Sequence, residues 1–199
     1  MNSSMNYQKD FSKVVIDRTT KDYDMVMRWS RVFLLNKSFT TFSGGHNARA
    51  LLFPMEKVFE SYVAQQLKKV IMPLNWEIST QDKGFYLFDS PQQFALRPDI
   101  VITRDDGSKI ILDTKWKSLI DKPRANYGIS QADMYQMYAY SKKYETPEIW
   151  LLYPINAQMR DHQDIAFESE DGVNVRLFFV DVANIETSMQ SLCALLIEK

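Results

Sequence analysis

Apolar residues recur along this chain with two different periods, and each change of period marks a change of element. Over residues 22–36, Met25, Val26, Trp29, Val32, Phe33 and Leu35 follow the i, i+3, i+4, i+7 spacing of one helical face. The stretch SFTTFSGGHN, with Gly44-Gly45, breaks that period and predicts a connection. A second helix is expected from Pro54, which suits a first turn, to just before Pro73; its apolar face reads Met55, Val58, Phe59, Tyr62, Val63 and Leu67. Alternation with period two then takes over at 76–79 and 85–88, and more strongly in LRPDIVIT and KIILDTKW, which the turn RDDGS joins. Residues 130–144 return to helical spacing, with Ser130 as N-cap and Asp133 three residues on, close to a capping box. EIWLLYPI is apolar almost throughout, as in a strand buried on both faces, VNVRLFFVDV is a further strand, and 184–199 a closing helix.

This order predicts an α/β fold, a mixed β-sheet flanked by α-helices, with an N-terminal helical segment. A chain of 199 residues with 45% hydrophobic content can bury a sizeable core and favours one domain. Residues 1–20, polar and mixed, read as a weakly ordered lead-in or the remnant of a preceding domain, and 21–199 as the globular domain. With one cysteine, Cys193, no intramolecular disulfide and no thiolate zinc cluster can form, which suits a reducing cytoplasm. No window reaches the roughly 18 apolar residues of a membrane span, and no signal-like start precedes the domain. A net charge of -1 supplies no global field for nucleic acid, so any such contact must be local.

Chemistry concentrates in the hairpin. If Asp105-Asp106-Gly107 forms a type I turn with Gly107 left-handed, Arg104 pairs with Ser108 and Asp99 falls opposite Asp113. Lys115, two residues beyond Asp113, projects the same way, while Ile100, Ile102, Ile110 and Leu112 line the other face. Two neighbouring carboxylates repel in a low dielectric unless a cation neutralises them. Mg²⁺, for which Mn²⁺ substitutes, answers that need with oxygen ligands, and the Thr114 backbone carbonyl is a candidate third ligand. Lys115 can orient or deprotonate a water, or stabilise charge developing on a phosphate. The bland alternative is a turn-capping Asp99 beside a surface Asp113–Lys115 ion pair, worth about 0 to 1 kcal/mol.

Pro98-Asp99, followed fourteen residues later by Asp113-Thr114-Lys115, resembles the PD-(D/E)xK nuclease motif. Gln131 and Tyr135 in SQADMYQMYAY resemble the QxxxY element of its RecB-like branch, and Glu60 lies on the preceding helix, where such nucleases often carry a further acidic ligand. With GGHNARALLFPMEKVFESYV, RPDIVI and ILDTKWK, the chain is similar to the McrC nuclease family of McrBC 5-methylcytosine restriction systems over roughly 20–155, most strongly 44–140. The resemblance implies a restriction-endonuclease-like fold and Mg²⁺-dependent hydrolysis of DNA phosphodiesters. It implies Asp99, Asp113 and Lys115 as catalytic residues, Glu60 with Asp99 and Asp113 at the metal, and Gln131 with Tyr135 bordering the site. Glu56, one turn before Glu60, is a second candidate for the helix acid. The resemblance further implies a GTP-hydrolysing AAA+ motor of the McrB kind as partner. Family members generally carry a motor-docking region ahead of the nuclease, whereas little precedes residue 20 here, which fits a shortened subunit, a fragment or a standalone relative.

Local charge changes the picture modestly. Between 97 and 124, Arg97, Arg104, Lys109, Lys115, Lys117, Lys122 and Arg124 outnumber Asp99, Asp105, Asp106, Asp113 and Asp121. Lys117, Lys122 and Arg124 are the expected phosphate contacts, which position a duplex without reading its sequence. Trp116 is expected in the core, Tyr138, Tyr140 and Tyr144 in helix packing, His46 and His162 in loops, and Cys193 as a buried small hydrophobe. Cutting both strands needs two sites, hence a homodimer on DNA. Three competing readings share the fold. One is a catalytically silent DNA-binding or assembly subunit, against which the intact Asp99, Asp113 and Lys115 argue; the second is a nuclease acting on RNA, of the RNA-directed or tRNA-splicing type; the third is a transposase-type strand cutter, which needs a partner recombinase.

Overall fold

The computed structural model describes residues 7–14, 26, 27, 30, 54–162 and 164–198. By contact the chain divides into two units, Met1–Phe53 and Pro54–Lys199. In the first, helix α1 spans Tyr7–Ser12, and the Ser12 hydroxyl donates to the Lys9 carbonyl at 2.8 Å. Val26, Met27 and Ser30 are helical. The rest of the helix expected over 22–36, the loop with Gly44-Gly45 and His46, and the expected boundary at residue 20 lie outside the described residues.

The second unit opens with α2 (Met55–Ile71), entered through Pro54 and stopped by the 3-10 turn Met72–Leu74 that holds Pro73. Strands follow as β1 (Glu77–Thr80), β2 (Tyr86–Asp89), β3 (Gln92–Ala95), β4 (Ile100–Thr103) and β5 (Lys109–Thr114). Next come α3 (Gln131–Tyr144), β6 (Glu148–Pro154), β7 (Ala166–Glu168), β8 (Asn174–Val180) and α4 (Ile185–Ile197). Six strands form one mixed sheet in the order β1-β4-β5-β6-β8-β7. Strands β4 and β5 are antiparallel, whereas β5, β6 and β8 run parallel. This is the expected α/β arrangement of the restriction-endonuclease-like fold.

Each face of the sheet carries its own apolar layer, because side chains alternate along every strand. Ile100, Ile102, Ile110, Leu112, Trp150 and Leu152 pack with Phe59, Val63, Leu67 and Ile71 of α2 and Met189, Leu192 and Cys193 of α4. Val101, Ile111, Ile149, Leu151 and Tyr153 pack with Met137, Tyr140 and Tyr144 of α3. Strand β6 is therefore covered on both sides, as its continuous apolar run predicts.

Three local expectations need correction. Val58 is 43% exposed, because it sits about 100° around the helix from Phe59, which leads the buried stripe Phe59, Val63, Leu67 and Ile71. Trp116 is 39% exposed rather than core; it lies just past β5 and rests on the Phe59 ring at 5.4 Å. Strand β2 pairs with the unanticipated β3 in a separate two-stranded ribbon, and β7 was likewise unmarked. Both missed strands are short and largely exposed, so neither shows an alternating apolar signal.

Helix α3 begins as the sequence predicts: the Ser130 hydroxyl accepts from the Asp133 backbone N–H at 3.1 Å. Ser130→Ala is expected to cost about 1 kcal/mol of stability, read from a denaturant melt, with the midpoint lowered and the slope unchanged.

Candidate active site

The RDDGS turn sets everything that follows. Gly107 takes φ +82°, its N–H donates to the Arg104 carbonyl at 2.9 Å, and the Arg104 N–H donates to Ser108 at 2.9 Å. From that closure the ladder runs Thr103↔Lys109, Ile102↔Ile110, Val101↔Ile111 and Ile100↔Leu112. One further step sets Asp99 across from Asp113, the pairing expected from the turn.

Asp113 is 2% exposed at the end of β5. Burial pushes its carboxyl up to about 7, the charge of Asp99 adds to the rise, and Lys115 opposes both. Its Oδ2 has the Lys115 ammonium at 2.5 Å and no other hydrogen-bond partner among the described residues. Asp99 is held differently. Its Oδ2 accepts from the Thr114 backbone N–H at 2.8 Å and from the Thr114 hydroxyl at 2.6 Å, so Thr114 is seen fixing Asp99 through its donors. Its Oδ1 faces the Gln81 amide at 3.4 Å, and that amide donates to Glu60 Oε1 at 2.5 Å. Gln81 stands beside Asp99 at the end of β1, with its N–H donating to the Asp99 carbonyl at 3.0 Å. Glu60 is thereby linked to Asp99 across elements; burial raises its pKa and the Asp99 charge raises it further. Glu56 is exposed.

Lys115 lies past the last β5 residue, yet its N–H donates to the Leu152 carbonyl at 2.9 Å and continues the parallel ladder. Burial acts to lower its pKa, but Asp113, then Asp133 and Asp99, hold it raised, so the ammonium stays charged. Besides Asp113 it donates to Gln136 Oε1 at 3.1 Å and lies 4.0 Å from Asp133. Gln136 in turn donates to the Tyr140 hydroxyl at 2.9 Å, and that hydroxyl also takes a backbone hydrogen bond from Arg97, two residues before Asp99.

Gln136 and Tyr140 therefore tie Lys115 to the Asp99 segment. The sequence contains two QxxxY spacings, Gln131/Tyr135 and Gln136/Tyr140. Gln131 donates to Tyr135 at 2.6 Å with both side chains exposed, whereas the second pair borders the carboxylates. A signal for the second pair was present: Met137, Tyr140 and Tyr144 mark the buried face of α3, and Tyr140 belongs to it.

Lys117, Lys122 and Arg124 are exposed on the segment between β5 and α3 and make no ion pair among the described residues. That segment is anchored by buried Leu119, whose carbonyl accepts from Asn156 at 2.8 Å, and by His162 at 3.0 Å from Asp121. Arg104 and Lys109 are committed elsewhere, Arg104 to Glu148 and the Leu196 carbonyl at 2.9 Å each, Lys109 over the Phe85 and Tyr144 rings. A cavity of about 660 Å³ between β8 and α4 includes none of the predicted site residues.

Among the described residues no three His, Cys, Asp or Glu side chains are already drawn into a metal cage. What is present is an oxygen-only set, with Asp99 and Asp113 paired, Glu60 joined through Gln81, and one buried carboxylate oxygen held by an ammonium alone. That set fits a hard divalent cation that keeps several waters and takes one or two carboxylates.

Because the folded Asp113 binds its proton more tightly than the unfolded chain does, its contribution to stability is full below about pH 4. It declines as pH rises through about 7. Metal-free protein is expected to lose stability over that window, and Asp113→Asn to flatten the loss, as measured by denaturant titration at pH 5, 6.5 and 8.

Residues 1–154 match the family model described as McrBC 5-methylcytosine restriction system component. No curated protein matches the chain. Among solved structures, it is similar to a chain in the refined half-complex from the tetradecameric assembly of Thermococcus gammatolerans McrB AAA+ hexamers with bound McrC. The TM-score is 0.62 at 15% identity, and the likeness covers 95% of this chain and 42% of that one, so this chain spans less than half of that relative's length. The matched family thus extends through the whole hairpin, Lys115 and α3, and the chain belongs to the McrBC 5-methylcytosine restriction system components.

Proposed function

We propose that the chain is the DNA-cleaving subunit of its restriction system, a Mg²⁺-dependent endonuclease that hydrolyses phosphodiesters at Asp99, Asp113 and Lys115. The observation that carries this reading is the single register that puts Asp99 across from buried Asp113 and leaves Asp113 Oδ2, among the described residues, with no partner but the Lys115 ammonium. A structural ion pair has no need of a second carboxylate beside it; a divalent cation site does.

In this reading Asp99 and Asp113 hold the cation and Glu60 joins them on the side of Gln81. The cation, when bound, neutralises the carboxylates and polarises the phosphate. Thr114 fixes the Asp99 carboxylate with two donors, which limits its rotation. Lys115, kept charged, acts as a donor to the phosphate oxygens on which negative charge grows rather than as the base. A water oxygen bonds to phosphorus and gives up a proton to solvent, one P–O ester bond breaks, and the departing oxygen takes up a proton from solvent. Gln136 and Tyr140 hold Lys115 at its post. Lys117, Lys122 and Arg124 position the backbone of the duplex.

The matched assembly is described as McrB AAA+ hexamers with bound McrC. By that likeness we assign this chain an McrB-like AAA+ motor as partner. From the motif resemblance we add GTP hydrolysis by that motor, duplex DNA as substrate and the cytoplasm as its place of work, and double-strand cutting requires pairing of two copies. No helix among the described residues is long and apolar enough to cross a membrane.

Plasmid cleavage with Mg²⁺, in the presence of the cognate motor, tests the site. Asp113→Ala and Asp99→Ala are expected to abolish cutting and calorimetric metal binding together, and Lys115→Ala to lower the rate by roughly 10²-fold with metal binding retained. Gln136→Ala is expected to lower it about tenfold while Gln131→Ala leaves it near wild type. Metal binding unaffected by Asp113→Ala, or cleavage of RNA in preference to duplex DNA, would overturn the assignment.

Replacing Lys117, Lys122 and Arg124 by alanine is expected to weaken DNA binding equally across sequences. The slope of log affinity against log salt should fall by roughly one per contact removed. Fluorescence anisotropy over a salt series measures it.

A further inference from the structure

Tyr153 is a completely buried side chain whose hydroxyl has no hydrogen-bond partner among the described residues. A buried hydroxyl left unpaired is costly, and phenylalanine would fill the same core position without that cost. Its position suggests what the hydroxyl is for. The parallel ladder pairs Asp113 with Leu151 and Thr114 with Leu152, and the Lys115 N–H extends it, so Tyr153 stands beside Lys115 on the next strand. Side chains two apart share a face, so Tyr153 projects toward the same α3 layer as Asp113. Its phenol is held up by burial first and then by the charges of Asp133 and Asp113, which places the ring in the field of both carboxylates.

Asp133 borders the same space from α3. Its backbone N–H is fixed by Ser130, and the near partner of its carboxylate is Lys115 at 4.0 Å, an ion-pair distance too long for a hydrogen bond. The Lys115 ammonium, with three donors, spends its closest contact on Asp113 and a second on Gln136. A divalent cation on Asp113 competes with that contact at 2.5 Å, because two cations sharing one carboxylate repel. The other acceptors facing the lysine are Asp133 at 4.0 Å and Gln136 at 3.1 Å, and Tyr153 stands next to it on the neighbouring strand.

We propose that Asp133 and Tyr153 form a second seat for the Lys115 ammonium, receiving it when Asp113 is engaged by a divalent cation and keeping it beside the site. This rests on the metal-dependent reading above. In the second seat the ammonium donates to the Asp133 carboxylate and the Tyr153 oxygen, the phenol O–H donates to Asp133, and Gln136 keeps its contact throughout. Asp133 and Tyr153 are positioning residues that act through Lys115.

Calorimetric titration of Mn²⁺ into the full chain tests this without any turnover. Asp133→Asn and Tyr153→Phe are each expected to weaken Mn²⁺ binding roughly tenfold, because the displaced ammonium is left beside the cation without its counter-charge. Tyr153→Phe should do so with a melting temperature equal to or above wild type, which separates positioning from folding. In a Lys115→Ala background, Asp133→Asn should change Mn²⁺ affinity less than about twofold. Affinities within twofold of wild type in both single variants overturn the proposal, as does a full loss on Asp133→Asn in the Lys115→Ala background, which would make Asp133 a ligand in its own right. Failure of the wild-type chain to bind Mn²⁺ overturns this proposal and the metal-dependent reading together; binding that ignores both substitutions overturns this one alone.

Discussion

Sliding β5 by one residue against β4 would turn Ile110 and Leu112 from the α2 side of the sheet to the α3 side and carry Asp113 into the apolar layer under α2. Both layers resist that slip, since Ile100, Ile102, Ile110, Ile111 and Leu112 have no exposed surface and each fits one side alone. The left-handed Gly107 fixes the count from the other end. The hydrophobic packing of four isoleucines and a leucine thus sets the position of the carboxylates. Asp113 stays buried at a cost that the surrounding core offsets together with the Lys115 ammonium.

The strand that carries Asp113 is also where the sheet changes from antiparallel to parallel pairing. Such a change leaves the carboxyl end of the strand unobstructed by a hairpin return, and ligands of α/β sheets characteristically gather at such places. Here the chain leaving β5 passes through Lys115 into the segment pinned by Leu119, then into α3, whose first turns bring Asp133 and Gln136 back to the same point. One continuous stretch of chain therefore supplies the carboxylate, the ammonium and the groups that hold the ammonium, while β1 and α2 contribute from the other side through Gln81 and Glu60.

Much of this was legible from residue patterns. Turn chemistry at Asp105-Asp106-Gly107 was enough to predict the register, and the continuous apolar run of β6 announced a strand covered on both faces. Ser130 was recognisable as a cap because a hydroxyl three residues before an N–H at a helix start has an obvious use. Elsewhere the signal divided. Two QxxxY spacings lie five residues apart on α3, about 140° around the helix, so they face different surroundings, and a motif read without its helical phase does not choose between them. Gln81 carried no signal at all: its role comes from standing at the end of β1 with φ +53°, which depends on how β1 pairs with β4. Tyr153 was hidden in an apolar run, where its hydroxyl looked incidental.

Gln81 joins Glu60 to Asp99 with a single NH₂ group, and a carboxamide is two-sided. Turned end for end about its last side-chain bond, it presents a carbonyl oxygen where it had presented hydrogens, with the rest of the residue unmoved. On the metal-dependent reading, the side chain that donates to two acids would remain in place beside a cation, exchanging the role of donor for that of acceptor. A glutamate at this position would add a fourth carboxylate to Glu60, Asp99 and Asp113, and a lysine would place a fixed positive charge among them; an amide can serve both states.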